Sequence, residues 1–148
     1  MSYSHILVAS DGSERSARAV GEAARLAAAL GARLTVLTVE RQPRMPVRGI
    51  GEPLNAHTLS TLAEVAHQQS KGVLAEALTI AAEAGVKAST ECPRGIAPSR
   101  AILAAADRLP CDLIVMASHG RRGLQGMVLG SHTQRVLVQA RVPVLVIH

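Results

Sequence analysis

With 148 residues, 48% of them hydrophobic, the chain is long enough to enclose one sizeable core and too short for two full domains, so residues 1–148 read as a single domain. Aromatic residues make up 1%, one tyrosine with no phenylalanine or tryptophan, which leaves Ala, Val, Leu and Ile to build a core of helices packed closely on a parallel sheet. The formal charge of +5 invites an anionic ligand, yet the basic residues are scattered in ones and twos and base-stacking aromatics are missing, which argues against nucleic acid as a partner.

The amino terminus, "MSYSHILVASDGS", lacks the basic flank and apolar stretch of a signal peptide. No segment approaches the roughly 20 apolar residues of a membrane span, so a cytoplasmic chain without membrane contact is expected. The first strand is predicted over 5–10, "HILVAS", stopping at Asp11-Gly12-Ser13. A helix follows, with Ser13 as a partial cap, Ala17, Val20, Ala24, Ala27 and Ala28 as its apolar stripe and Gly31 as its stop. "ARLTVLTVE", 32–40, reads as a second buried strand, and 41–56, rich in proline and glycine, as a long loop of the kind that serves as a lid or binding segment.

A long helix is predicted from about Thr58 to Ala84, burying Leu59, Leu62, Ala66, Val73, Ala77 and Ile80 and ending at Gly85. The third strand is "VKASTEC", 86–92, closed by Pro93. A helix over 96–109 has Pro98 in its first turn and Pro110 at its exit. "DLIVMAS", 112–118, is the fourth strand, Ser131 to Ala140 the fourth helix, and "VPVLVIH", 142–148, the fifth strand. This alternation is that of an α/β fold, an open parallel sheet of five strands with helices on both faces. Pro143 cannot donate to a ladder, so the fifth strand belongs at an edge, and an apolar edge calls for cover by a second copy. Cys92 and Cys111 show no metal or redox spacing and read as two unbridged, buried small hydrophobes at opposite edges of the sheet.

In such sheets ligands sit beyond the carboxyl ends of the strands, where the winding reverses. The stretch "MASHGRRGLQGMVLGSHTQRVL", 116–137, follows the fourth strand there and carries glycines at 120, 123, 126 and 130. Glycine exposes backbone N–H groups and permits positive φ, so a glycine-rich loop entering a helix can wrap a phosphate. Glycines three and four apart also let a neighbouring element pack closely, and spacing alone does not choose between the two readings.

The same edge gathers Asp11-Gly12-Ser13 from strand one, Val39 with Arg41, Arg44 and Arg48 from strand two, Cys92-Pro93-Arg94 from strand three, and His119-Gly120-Arg121-Arg122 from strand four. Ser131 and Thr133 begin the fourth helix, and their hydroxyls and the unpaired N–H groups are expected to face this cleft, with an ordinary N-cap as the alternative for Ser131. A triphosphate fits the inventory of arginines, amides and one acid. Asp11 would meet ribose hydroxyls or reach the phosphates through Mg²⁺, the alternative being an Asx-type turn that ends the strand. No Gly-Lys-Ser/Thr occurs, "GIGEPL" lacks the third glycine of a dinucleotide signature, and no Gly-x-Ser-x-Gly elbow is present. His5, His57, His67 and His148 have no companions at metal spacing, and Glu64 with His67 on one helix face reads as a solvated pair.

The opening "ILVASDGSERSARAV", the strand "LTVLTVE", "DLIVMASHGRRGL", "VLGSHTQRVL" and the terminal "VPVLVI" together resemble a single-domain universal stress protein over the whole 148 residues. Nucleotide-binding members carry Gly, two residues, Gly, nine residues, Gly, then Ser or Thr. In this sequence the second glycine is Gly120, the third is Gly130 after the same nine residues, and Ser131 follows, while Ala117 stands at the first position. The resemblance implies an adenine nucleotide alpha hydrolase-like sheet in the order 3-2-1-4-5 and a homodimer, here through the terminal strand 143–147. It also implies that Asp11 and the Val39 backbone meet ribose and adenine, with Gly120, Gly130, Ser131 and His132 around the phosphates. With their flanking residues, the expected ATP site comprises Ala9, Ser10, Asp11, Val39, Met116, Ala117, His119, Gly120, Arg121, Arg122, Gly130, Ser131, His132 and Thr133, with no catalytic or metal-ligating set. The expected role is an ATP-binding stress or signalling module. Weak ATP hydrolysis, with His119 or His132 as base, and a nucleotide-free dimer that binds a partner protein are the alternatives.

Overall fold

Strands and helices alternate along the chain: β1 (His5–Ala9), α1 (Glu14–Leu30), β2 (Arg33–Leu37), α2 (Ala56–Glu83), β3 (Ser89–Glu91), α3 (Pro98–Arg108), β4 (Leu113–Ala117), α4 (Ser131–Gln139) and β5 (Val144–Ile147). The computed structural model describes residues 2–43, 55–120 and 129–148. The sheet has five strands in the order β3-β2-β1-β4-β5, every pair parallel, as expected. Among the described residues no helix is long and apolar enough to cross a membrane.

Because side chains alternate along a strand, the inner strands feed two cores, one on each face of the sheet. Ile6, Val8, Leu113, Val115 and Ala117 meet the alanine-rich face of α1 and the end of α2, whereas Leu7, Leu37, Ile114 and Met116 meet α3 and α4. Alanines at 19, 23, 24 and 27 let α1 lie close on the sheet without aromatic fillers. The chain winds β1 to β3 in one direction and β4 to β5 in the other, so the reversal falls between β1 and β4.

Local signals set the helix ends. The side chain of Ser13 caps α1 by accepting from Ser16 N–H, and Gly31 stops it in the left-handed region at φ 64°. Asn55 caps α2 in the same way through Thr58 N–H, and Pro98 opens α3. Several expectations are corrected. Ala28 is exposed, and the buried stripe of α1 runs through Ser16, Ala19 and Ala23 as well as Val20, Ala24 and Ala27. On α2 only Ser70, Ala77 and Ala81 are buried, while Leu62 stands exposed. The physical reason is length: a helix of 28 residues extends about 42 Å at 1.5 Å per residue, far more than a strand of five, so its first half runs past the sheet. Strand three shrinks to three residues at an exposed edge. Cys111 is buried but Cys92 only partly so, and both are unbridged.

Candidate functional site

At the carboxyl edge, β1 ends in a turn that consumes its own polar groups. Ser10 N–H donates to Leu37 O at 2.9 Å, Gly12 N–H to Ser10 Oγ at 3.3 Å, and Ser13 N–H to Asp11 Oδ1 at 2.9 Å. The last bond is an Asx turn, so the alternative reading of Asp11 is realised through one of its oxygens. Buried Ser16 holds the turn from beneath, its Oγ donating to Ser13 O at 3.0 Å and lying 3.1 Å from Ser10 Oγ. Gly12 makes the bend at φ 82°.

Strand β4 leaves beside this turn. A Cβ on Gly120 would sit 2.6 Å from Asp11 Oδ2, so any larger residue there would have to displace the Asp11 carboxylate. Gly130 is held by contact in the same sense: its N–H donates to Ser118 O at 2.7 Å, and a Cβ would lie 3.3 Å from that oxygen. Neither glycine has positive φ, so of the two uses of glycine, close approach and a left-handed backbone, the first applies here. Arg121, Arg122, Gly123 and Gly126 of the loop, and Arg44 and Arg48, lie outside the described residues.

Gly130 is also the N-cap of α4, without any side-chain hydrogen bond to the first turn. Ser131 is therefore the first helical residue and exposed, not the cap. Thr133 is buried, and its hydroxyl donates to Ala117 O at 3.0 Å, so it ties α4 to β4 rather than facing the cleft. His132 turns its Nδ1 to Ser99 Oγ on α3 at 3.5 Å, and burial, with Arg135 nearby, lowers its pKa. His119 Nδ1 lies 3.2 Å from Ser118 Oγ, and its Nε2 is buried without a partner among the described residues. Met116 is core beneath α3 and α4, Ala9 packs against the same layer, and the Ala117 methyl belongs to the layer under α1.

Val39 lies just past β2. Thr38 N–H donates to Glu91 O at 3.1 Å and Glu40 N–H to Pro93 O at 2.9 Å, so these residues face β3. By strand alternation the Val39 N–H and C=O face the β1 side, and among the described residues no hydrogen bond engages them. The expected solvated pair of Glu64 and His67 does not form: Gln68 Nε2 donates to Glu64 at 2.8 Å, and His67 Nδ1 lies 3.0 Å from Glu40 Oε2. Sequence reasoning missed Ser118 as the platform of Gly130, Ser16 as the anchor of Ser10, and Glu40. A serine on an otherwise alanine-lined helix face was the available signal for Ser16.

Fold and site together define a doubly wound α/β domain of the adenine nucleotide alpha hydrolase-like type, with a helix start that has no side-chain cap among the described residues near its switch point. The chain belongs to the Universal stress protein family, whose sequence pattern matches residues 2–148. It is 31% identical over 148 residues to a universal stress protein of Methanocaldococcus jannaschii, covering 98% of this chain and 82% of that one. Among solved structures it is similar to UspA of Lactobacillus plantarum, with a TM-score of 0.84, 27% identity and 100% and 99% of the two chains covered. A universal stress protein in complex with cAMP matches with a TM-score of 0.71 and 28% identity over 100% and 98% of the chains.

Proposed function

We propose that the chain is a cytoplasmic ATP-binding module of stress response or signalling that works as a homodimer. The observation that carries this reading is the open start of α4. Among the described residues no side-chain cap bond closes its first turn, and Gly130 seats it against the exit of β4, where the helix end favours an anion. The N–H and C=O of Val39 at the same sheet edge, unpaired among the described residues, suit the donor and acceptor edge of an adenine. The cAMP held by a solved relative is of the same ligand class.

Asp11, whose Oδ2 lies against Gly120, stands between the two and suits ribose hydroxyls or the Mg²⁺ carried with the triphosphate. Binding rather than turnover is the better-supported role. A general base for water needs a partner that holds and polarises it, and among the described residues the Nδ1 atoms of His119 and His132 lie against serine hydroxyls. The dimer reading rests on β5, an edge strand preceded by Pro143, with Leu145 39% and Val138 82% exposed beside it.

Purified protein should release an adenine nucleotide on denaturation, identified by mass spectrometry, or take up ATP and Mg²⁺ in calorimetric titration at one site per chain. Absence of both overturns the reading. Sedimentation should find a dimer that Val144→Lys with Val146→Lys converts to monomer.

A further inference from the structure

Among the described residues, Glu40 is the one buried carboxylate, 7% exposed. An ionised carboxylate is costly to bury unless partners take up its charge. Its partners come from two other parts of the fold. His67 Nδ1 on α2 lies 3.0 Å from Oε2, and Arg94 Nε beyond β3 lies 3.5 Å from Oε1. The ladder of β2 ends at Leu37, yet the main chain continues extended to a single parallel bridge between Glu40 and Arg94. Val39 is thus held from both sides, by Thr38 and Glu40 bonded to the β3 exit, while its own peptide groups face β1 and meet no hydrogen-bond partner among the described residues.

We propose that Glu40 is a positioning residue for recognition of the base: pinned by His67 and Arg94, it fixes the direction of the Val39 N–H and C=O and thereby sets the preference for adenine over guanine. The inference rests on the nucleotide reading above. Adenine offers an acceptor at N1 and a donor at N6, and guanine offers the reverse order at the corresponding atoms. A rigid donor and acceptor pair rejects the wrong order because it leaves polar groups unpaired, whereas a pair free to swing does not.

The test compares ATP, GTP and inorganic tripolyphosphate by calorimetry on the full chain. Glu40→Leu should weaken ATP by about tenfold and bring the ATP-to-GTP ratio toward unity, with tripolyphosphate unchanged. Glu40→Gln, which keeps an acceptor oxygen for one of the two partners and turns an NH2 group to the other, should restore part of the ratio. Arg94→Ala and His67→Ala change partly or largely exposed partners and should shift the ratio the same way by smaller factors; they decide the matter if Glu40→Leu does not fold. A residue that merely supports the fold would move all three ligands together. A wild-type preference for ATP that survives in every variant, or a wild type that binds ATP and GTP equally, overturns this inference and leaves the nucleotide site standing. A wild type that binds none of the three overturns the site and the inference together.

Discussion

The two edges of the sheet are made from the same strands, yet among the described residues the amino edge is closed by hydrogen bonds, His5 Nδ1 apart, and the carboxyl edge stands more open. At the amino edge Asp112 takes up the start of β1: its carboxylate accepts from Ser4 N–H and Ser4 Oγ at 2.8 Å each and from His5 N–H at 3.0 Å. His5 Nε2 then meets Thr35 Oγ1 at 2.8 Å, and Thr35 meets Ser89 Oγ at 2.8 Å, a polar line across β1, β2 and β3. At the carboxyl edge, among the described residues, the first turn of α4 has no side-chain cap and Val39 keeps its peptide groups unpaired. Buried or half-buried polar groups are normally satisfied. Where this chain satisfies its own, the residues serve stability; where the described residues leave them open, the proposed nucleotide would have groups to meet.

The largest break in that comparison should come from Gly130→Val. A branched side chain would be driven into Ser118 O, where a Cβ already lies at 3.3 Å, and would push the start of α4 off β4. ATP affinity should fall by more than about a hundredfold while circular dichroism still reports a folded chain. Affinity close to wild type would place the phosphates somewhere other than the α4 start.

A reciprocal pair sharpens the contrast. Ser131→Ala removes one exposed hydroxyl beside the open helix start and should weaken ATP by about ten- to a hundredfold, the worth of a hydrogen bond to a charged group, with little change in stability. Asp112→Ala should do the opposite, leaving ATP affinity unchanged and lowering unfolding free energy by about 1 kcal/mol, since solvent screens this near-surface carboxylate. Denaturant unfolding and calorimetry on both variants separate the two edges. If each variant lost both properties, the division between stability and binding would not hold.

The order of elements, the parallel sheet and the edge strand were legible because apolar runs, glycine stops and Pro143 are local signals. The depth of α2 was not legible, since periodicity marks an apolar face without saying whether the sheet reaches it. The contact of Glu40 with His67, 27 positions apart, was also invisible, because periodicity carries no record of which distant residues the fold brings together. Ala117 shows both sides of this. Its departure from the family's glycine stood out in sequence, but only the structure places its methyl in the core beneath α1, in a strand of ordinary conformation. Ala117→Gly is therefore expected to leave ATP affinity unchanged and to cost about 1 kcal/mol of stability from the lost methyl and the freer backbone. Tighter ATP binding by this variant would show that the methyl crowds the ligand after all.

The smallest effect concerns proton uptake at the closed edge. His5 is buried at the start of β1, and burial, reinforced by the Arg33 charge, lowers its pKa below 6.5, with the Leu109 main chain and Asp112 acting against the shift. In the window between that lowered value and 6.5 the unfolded chain binds a proton that the folded chain refuses, so stability falls as pH drops through it and levels off below. His132 is lowered in the same direction by burial and Arg135, and adds to the slope. Asp112 acts further down. Burial opposes its ionisation, but the hydrogen bonds from His5 and Ser4 outweigh that and hold its carboxyl below 3.8, so its contribution is present above 3.8 and lost as pH falls through the folded value. Unfolding free energies measured by denaturant from pH 7.5 downward should thus decline in two steps. His5→Gln, which keeps an amide within reach of Thr35 but does not titrate, should flatten the first step without altering ATP affinity at neutral pH. A wild-type slope in that variant would assign the first step to His132 alone, and with it to the open edge.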